Sequence, residues 1–541
     1  MQKLMRWSLF AATLSSACLW AADWPSTGGN PQRDGWAQGE TILSQAAASA
    51  GKIKQLWKYR FDNRQNGLVA MTNPIVLSRL IGYHGFEELV LANGSGGASY
   101  AIDADLGKPY FRTPLTSLEM GKVPVASTLC PGGVTSSMAM YGLSVTSRFG
   151  GFGGANPIAR LAAYYTVGAD GYIRTLRAQD GQAEMIPPAK VLPPNSNVTG
   201  LNFAGSTLYA ATVNGCGGPN ALYAADFTPP VLPSTPDKPM VKPSKWDVTS
   251  FMTNGSGFAG TGGVAAGTKN DRVYGTVPDG KGEAAGTYSD TVVGLEAKTL
   301  AVKDWFTPAE AAAAARPGMA VTGITPAVFA EGGKDYVIAG GRNGRIYILD
   351  STALGGADHH TPLFASEPVF AAGAQAEGTG FYGTFATAVT GGQRWLYVAI
   401  RGPVAMKMPG SSATAMDGSV VAFKLTMSAG KPVLTAAWAS RNLQGAMAPV
   451  AASDVVFALS SGMPNRVAGK NGQAISAAEL AKSSQPATLY MLGATNGKEL
   501  FSTANGGATT FSSSGLALAN GHVYFSTHDN TLYAYGVPEE R

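Results

Sequence analysis

The chain has 541 residues, 69 of them glycine, with 14% charged and 45% apolar residues. Ample apolar residues and few charges exclude a disordered chain, and glycine without a G-X-Y period excludes collagen. The formal charge of +5 is not gathered into any Lys/Arg run, so no nucleic-acid footprint is present, and the abundance of turn residues points to an all-β protein.

Met1–Ala22 reads as a secretory signal: Lys3 and Arg6 form a positive start, Trp7–Leu14 a short apolar run, and small residues lead to Ala21-Ala22. Ser15-Ser16-Ala17-Cys18 also resembles a poor lipoprotein box, but Cys18 is read as leaving with the signal. Cleavage near Ala22 leaves residues 23–541 as a single domain, exported to the periplasm or the extracellular space. No later run of 18 or more apolar residues offers a transmembrane segment. Export leaves Cys130 and Cys216, each beside glycine, where a disulfide persists; two buried thiols are the alternative reading. No C-x-x-C-H occurs, so no c-type haem is attached.

One phrase then recurs along the chain, a turn followed by a short β-rich run and often a Gly-Lys turn. Its copies are Ala98–Asp103, Asp170–Ile173, Ala221–Asp226, Thr291–Glu296, Asn343–Asp350, Asp417–Phe423, Thr488–Leu492 and Asn530–Tyr535. From Tyr100 to Tyr533 there are 433 residues in seven intervals, about 62 each. Asn-Gly and Asp-Gly supply the positive-φ residues of tight hairpins, and Tyr, Val, Ile and Leu suit a half-buried strand. A repeat of this length holds one four-stranded blade with long loops, which predicts an eight-bladed β-propeller, with seven blades as the alternative. The strand Leu56–Tyr59 is expected to complete the sheet that holds Leu532-Tyr533, so that the first and last blades close on each other. Helix is scarce: Thr307-Pro308-Ala309-Glu310 is a capping box opening Ala311–Ala315, and a second short helix is expected over Ser476–Lys482. Proline marks Pro229–Pro243 as an exposed loop.

The repeat phrases, the segment Asp23-Trp24-Pro25-Ser26-Thr27-Gly28-Gly29 and the strand at Leu56-Trp57 resemble the pyrroloquinoline quinone (PQQ) repeat family, which includes quinoprotein alcohol dehydrogenases. The resemblance covers nearly all of residues 23–541. It implies blades docked by side chains of the repeat, PQQ and calcium on the propeller axis, and oxidation of a small alcohol or sugar. Arg342, in Gly341–Asp350, stands where the family presents the cation that polarises the quinone carbonyl. Phe258 stands at the place of the aromatic floor, and Asp279 near that of a calcium ligand. Each also has a plain structural reading: a blade-edge arginine, a core phenylalanine and an Asp-Gly turn.

Other family features are missing. Cys130 is flanked by Leu129 and Pro131, so the family's adjacent-cysteine disulfide is absent. The base extrapolates to near Ala285, with Glu283 the nearest acid, and no glutamate matches the second calcium ligand. His359-His360 is read as part of a loop, and His522 and His528 as surface residues rather than ligands. Two functions follow from these residues. One is a degenerate quinoprotein propeller acting as a binding or assembly scaffold for a protein partner; the other is a PQQ-dependent dehydrogenase.

Overall fold

The computed structural model describes residues 23–538 apart from 66–67, 83–84, 116–126, 128, 142–162, 184–185, 229–244, 254, 256, 279–287, 310–322, 371–377, 410–416, 466–474 and 505. The signal segment, the Pro229–Pro243 loop and the helix expected over Ala311–Ala315 lie outside the described residues.

Eight antiparallel sheets form eight blades of a β-propeller, which settles the blade count at eight rather than seven. Blade 1 is Ile75–Gly82, Gly85–Gly94, Ala98–Asp103 and Pro109–Pro114. Each copy of the repeat phrase falls on the third strand of a blade, beginning with Ala98–Asp103 and ending with Thr531–Gly536. Blade 6 gains a fifth strand, because Ile324–Thr325 pairs in parallel with its inner strand Gly380–Thr390. Blade 8 takes its outer strand from the start of the chain: Lys54–Arg60 pairs antiparallel with Thr531–Gly536, placing Lys58 opposite Tyr533 and Tyr59 opposite Leu532. Closure by the expected strand therefore ties the two ends of the chain into one sheet.

The Gly-Lys turns dock neighbouring blades. Gly107, at φ +63°, leaves room for Trp57; an added Cβ would come within 2.5 Å of the indole. Trp57 Nε1 donates to Ala104 O at 2.7 Å, locking blade 8 to blade 1. The same device joins blade 6 to blade 7: Gly497, at φ +66°, lies under Trp438, whose Nε1 donates to Ala494 O at 3.0 Å. Only glycine combines this left-handed backbone with the missing Cβ.

Two α-helices occur among the described residues. Ala477–Ser483 matches the helix expected over Ser476–Lys482 and is opened by a Ser476/Glu479 capping box. Gln45–Ser49 has no counterpart in the sequence reading. No helix of the described residues is long and apolar enough to cross a membrane.

The segment after residue 22 visits every blade in turn. Trp24 exchanges backbone hydrogen bonds with Val76 of blade 1, and Pro25 O accepts from Met140 of blade 2. Pro31 O accepts from the Asn202 side chain of blade 3 and from Ala266 N of blade 4. Gln32 O accepts from Val328 of blade 5, Asp34 O from Thr387 of blade 6, and Gly35 O from Ala451 of blade 7. Glu40 Oε2 accepts from Gly521 N of blade 8 at 2.7 Å. Residues 24–40 thus form a collar on the inner strands. At its centre is Arg33, fully buried, whose Nη1 donates to Ser26 Oγ at 2.7 Å and to Thr27 O, and whose Nη2 donates to Leu201 O at 2.6 Å. Burial lowers the Arg33 pKa to about 9.

Two predictions follow from the collar and the blade 8–blade 1 seam. Arg33→Ala strands the carbonyls of Thr27 and Leu201, and denaturant unfolding should register a loss of about 2–4 kcal/mol. At the seam, Glu88 accepts from Asn520 through Oε2, while Oε1 is buried with no partner among the described residues. Burial raises its pKa to about 8, assisted by the nearby charges of Asp105, Asp23 and Glu40. The folded chain holds this proton where the unfolded chain has released it, so stability falls as pH rises from the ordinary carboxylate range to about 8. Melting curves from pH 5 to 9 should show that fall, and Glu88→Gln should raise the melting temperature at pH 8 by about 2–4 °C while leaving it unchanged near pH 4.

Candidate functional site

Beyond the collar, the channel opens into an axial cavity of about 250 Å³. Its walls come from many blades: Leu68, Leu129 and Pro131 near blades 1 and 2, Thr199, Val213 and Asn214 of blade 3, Phe258–Thr261 before blade 4, Tyr382 and Arg401 of blade 6, Met463 and Pro464 of blade 7, Leu480 of the second helix and Ser513 before blade 8. Gly262, next to the wall residue Thr261, lies against Arg33, so the collar backs this side of the cavity.

The expected disulfide forms. Cys130 and Cys216 are bonded with a Cα–Cα separation of 5.7 Å, and their neighbours Leu129, Pro131 and Asn214 face the cavity. Asn197 and Asn214 each donate a side-chain hydrogen bond to Leu129 O at 2.9 Å, holding the two bridged loops together. The bridge therefore stands beside the axial cavity, although it is not one of adjacent cysteines.

Phe258 borders this cavity but is itself fully buried, with its ring flush against Gly275 and 6.2 Å from the ring of Phe251. Arg342 does not face it. It lines a separate cavity of about 40 Å³, together with Asp290, Thr276, Asn343, Tyr347 and Phe306, and its Nη1 donates to Pro278 O at 3.1 Å. The two cavities share Ala259 and Gly323. The structure thus brings Phe258 and the disulfide to one cavity and Arg342 to its neighbour. Asp279 and Glu283 lie outside the described residues. Among the described residues no group of three His, Cys, Asp or Glu side chains is placed to hold a metal.

Two groups were not singled out by the sequence. Asp290 Oδ1 stands 3.3 Å from Arg342 Nη1, in a turn with φ +50° just before the strand Thr291–Glu296. The position extrapolated for a base, near Ala285, lies outside the described residues. Arg401 ends the strand Gln393–Arg401, 6% exposed, with Cζ 3.4 Å from the centre of the Tyr382 ring. Burial depresses its pKa, partly offset by Tyr382. The visible signal was a lone cation closing the apolar run Leu396–Ile400.

The four described histidines all contact neighbouring side chains or backbone. His359 stacks on Trp305 at 3.6 Å with Nδ1 3.1 Å from Asp304, and His360 Nδ1 lies 2.8 Å from Thr307 O. His522 and His528 are not the surface residues expected. His522 is buried against Tyr524, with 2.9 Å between Nδ1 and the hydroxyl, and His528 is half-buried on Phe511, where burial lowers its pKa. Both belong to the last blade, His522 at the start of the strand His522–Ser526 and His528 in the turn that follows it.

No protein-family model matches the chain, and no curated protein matches it. Solved structures do. Quinohemoprotein alcohol dehydrogenase ADHIIG from Pseudomonas putida HK5 shares 12% identity over 96% of this chain and 81% of that chain, with a TM-score of 0.56. The quinohemoprotein alcohol dehydrogenase from Comamonas testosteroni shares 12% identity over 96% and 81%, with a TM-score of 0.53. A europium-containing methanol dehydrogenase shares 11% identity over 95% and 98%, with a TM-score of 0.54. At these identities the likeness is one of fold.

The disulfide joins residues 86 apart, so replacing both cysteines by serine should remove roughly 4–5 kcal/mol by the chain-entropy account. Thermal melts with and without reductant should reproduce the same loss in the native chain.

Proposed function

We propose that this chain is an exported, ligand-binding propeller on the quinoprotein scaffold whose calcium-dependent oxidation site has degenerated, and that it serves as a binding or assembly scaffold. The carrying observation is the lining of the axial cavity: among its described residues Arg401 is the one charged side chain, and the rest are apolar, aromatic or small and polar. Calcium takes oxygen ligands, chiefly carboxylates, and no described carboxylate faces this cavity. The residues do not fit the metal. A concave, mostly apolar cavity with few polar groups is the form of a small-molecule site. Removal of residues 1–22 on export belongs to the same reading.

The second reading, a PQQ-dependent dehydrogenase of a small alcohol or sugar, draws on the Arg342–Asp290 pair at 3.3 Å. When bound, PQQ supplies a carbonyl that accepts hydride. A fixed guanidinium can stabilise charge developing on a carbonyl oxygen, and a carboxylate can take a hydroxyl proton. Here the two groups neutralise each other across a cavity too small for more than a water or two.

Titration of the mature protein with PQQ, with and without excess calcium, separates the readings through tryptophan fluorescence and melting temperature. Any PQQ binding should be indifferent to calcium and yield no reduction of an artificial acceptor with alcohols or sugars. Calcium-dependent binding with acceptor reduction, abolished in Arg342→Ala, would make the chain a dehydrogenase.

A further inference from the structure

We propose that the outer edge of blade 8, the strand Lys54–Arg60, is a docking edge for an extended acidic segment of a partner protein, which adds to the blade as a further strand. This rests on the scaffold reading and deepens it by giving the partner a chemistry. It depends neither on the axial cavity nor on PQQ.

The eight outer edges differ. An outermost strand leaves one side of its backbone without a partner strand, and natural sheets blunt such edges with proline, short strands or bulges. Blade 1 begins and ends its outer strand in proline, at Pro109 and Pro114. In blades 2 and 5 the outer strand has two residues, in blade 7 four and in blade 4 five. Blade 6 carries Pro432 and a bulge. Two longer edges without proline remain among the described residues, Lys245–Met252 of blade 3 and Lys54–Arg60 of blade 8. The blade 3 edge answers its own charge, since Lys245 pairs with Asp247.

The blade 8 edge does not. Lys54, Lys58 and Arg60 are exposed, exposed Lys52 stands just before them, and no acid occurs from Lys52 to Arg60. Among the described residues no ion pair engages any of the four, and the next acid along the chain is Asp62. The bulge between Gln55 and Trp57 spreads the cations over both faces of the strand. Lys58 and Arg60 lie opposite Tyr533 and Thr531 on one face, and Lys54 lies opposite Gly536 on the other. The strand is also held in place. It pairs with Thr531–Gly536 along its inner side, Trp57 Nε1 donates to Ala104 O at 2.7 Å, and the Tyr535 hydroxyl donates to Gln55 Oε1 at 3.1 Å. A partner therefore meets an edge that is already ordered, and ordering its own segment is the main cost of docking.

These features select the occupant. The seven residues of the edge, about 23 Å long, offer backbone donors and acceptors to an extended chain. Cations on both faces answer carboxylates on both faces of an added strand, because unlike charges directly opposite stabilise a cross-strand pair and like charges destabilise it. A folded acidic surface would meet the charges and leave the backbone unanswered.

Fluorescence anisotropy on the full mature chain tests this with three short labelled peptides, alternating glutamate with valine, glutamate with proline, and lysine with valine. The proline peptide keeps the charge but cannot donate to a strand ladder. The glutamate–valine peptide should bind at least tenfold more tightly than either of the others and should slow amide exchange over residues 54–60. Lys54→Glu, Lys58→Glu and Arg60→Glu together should lower its affinity at least tenfold, and Val248→Glu on the blade 3 edge should leave it unchanged. Equal binding of the proline peptide would mark a patch for any polyanion and overturn the proposal. So would undiminished binding in the triple variant, an equal loss in Val248→Glu, no added protection at 54–60, or no binding. The peptide ratio and the exchange pattern are read on the unaltered chain, so they decide the matter even where the triple variant does not fold. Calcium-dependent PQQ turnover would sink the degenerate-site reading and leave this edge standing; failure of the peptide to bind would sink the edge and leave the reading of the cavity intact.

Discussion

Everything in this propeller is arranged around the problem of its axis. Eight inner strands converge on a channel, each presenting an edge with backbone donors and acceptors that need partners. Residues 24–40 answer blade by blade: Trp24 on Val76, Pro25 on Met140, Pro31 on Ala266, Gln32 on Val328, Asp34 on Thr387 and Gly35 on Ala451. A segment that must meet successive blades in a few residues cannot be a helix or a strand. Its left-handed Gly28, Gly29, Arg33 and Gly35 show how the backbone turns at each step. Arg33 then ties the collar to itself through Ser26 and Thr27 and to blade 3 through Leu201.

The collar also defines the site. Arg33 packs against Gly262, and the larger cavity lies at the neighbouring Thr261, where the disulfide loops and the second helix also contribute to its walls. The same construction separates the two arginines. Arg342 faces a small space with Asp290 and the Pro278 carbonyl, and Arg401 faces the larger one. Blade docking by Gly107 under Trp57 and Gly497 under Trp438 holds such distances fixed, because neither contact tolerates a Cβ.

The fold was legible because its signal is local and repeated. Each phrase pairs an Asn-Gly or Asp-Gly turn, or its equivalent, with a β-rich run, and each proves to be the third strand of a blade, where the turn at its start and the docking glycine at its end both constrain the sequence. The closing strand was legible from its pattern at Leu56–Tyr59. The collar was not, since its partners are backbone groups of residues tens to hundreds of positions away. The site was legible in part: the disulfide followed from compartment and count, while Phe258 proves to be a fully buried residue at the margin of the larger cavity. Asp290 and Arg401 escaped because what matters about them is which cavity a strand end opens on, and no spacing within the chain records that.

The two cavities carry opposite electrostatic states, and that difference bears on function more than the fold does. Arg342 stands beside Asp290 at 3.3 Å, so a ligand entering there meets a neutralised pair and must displace it to use the cation. Arg401 engages the Ala446 carbonyl, the Met447 thioether and Tyr382, which both stacks on its guanidinium and hydrogen-bonds to it, and none of these is a carboxylate. Oxidation on a quinone scaffold calls for a cation, a base and a metal converging on one space. Here the pair is sequestered in a space of about 40 Å³, and the larger space holds a cation without any described acid. The two cavities thus differ in charge through side chains alone, on one eight-bladed framework.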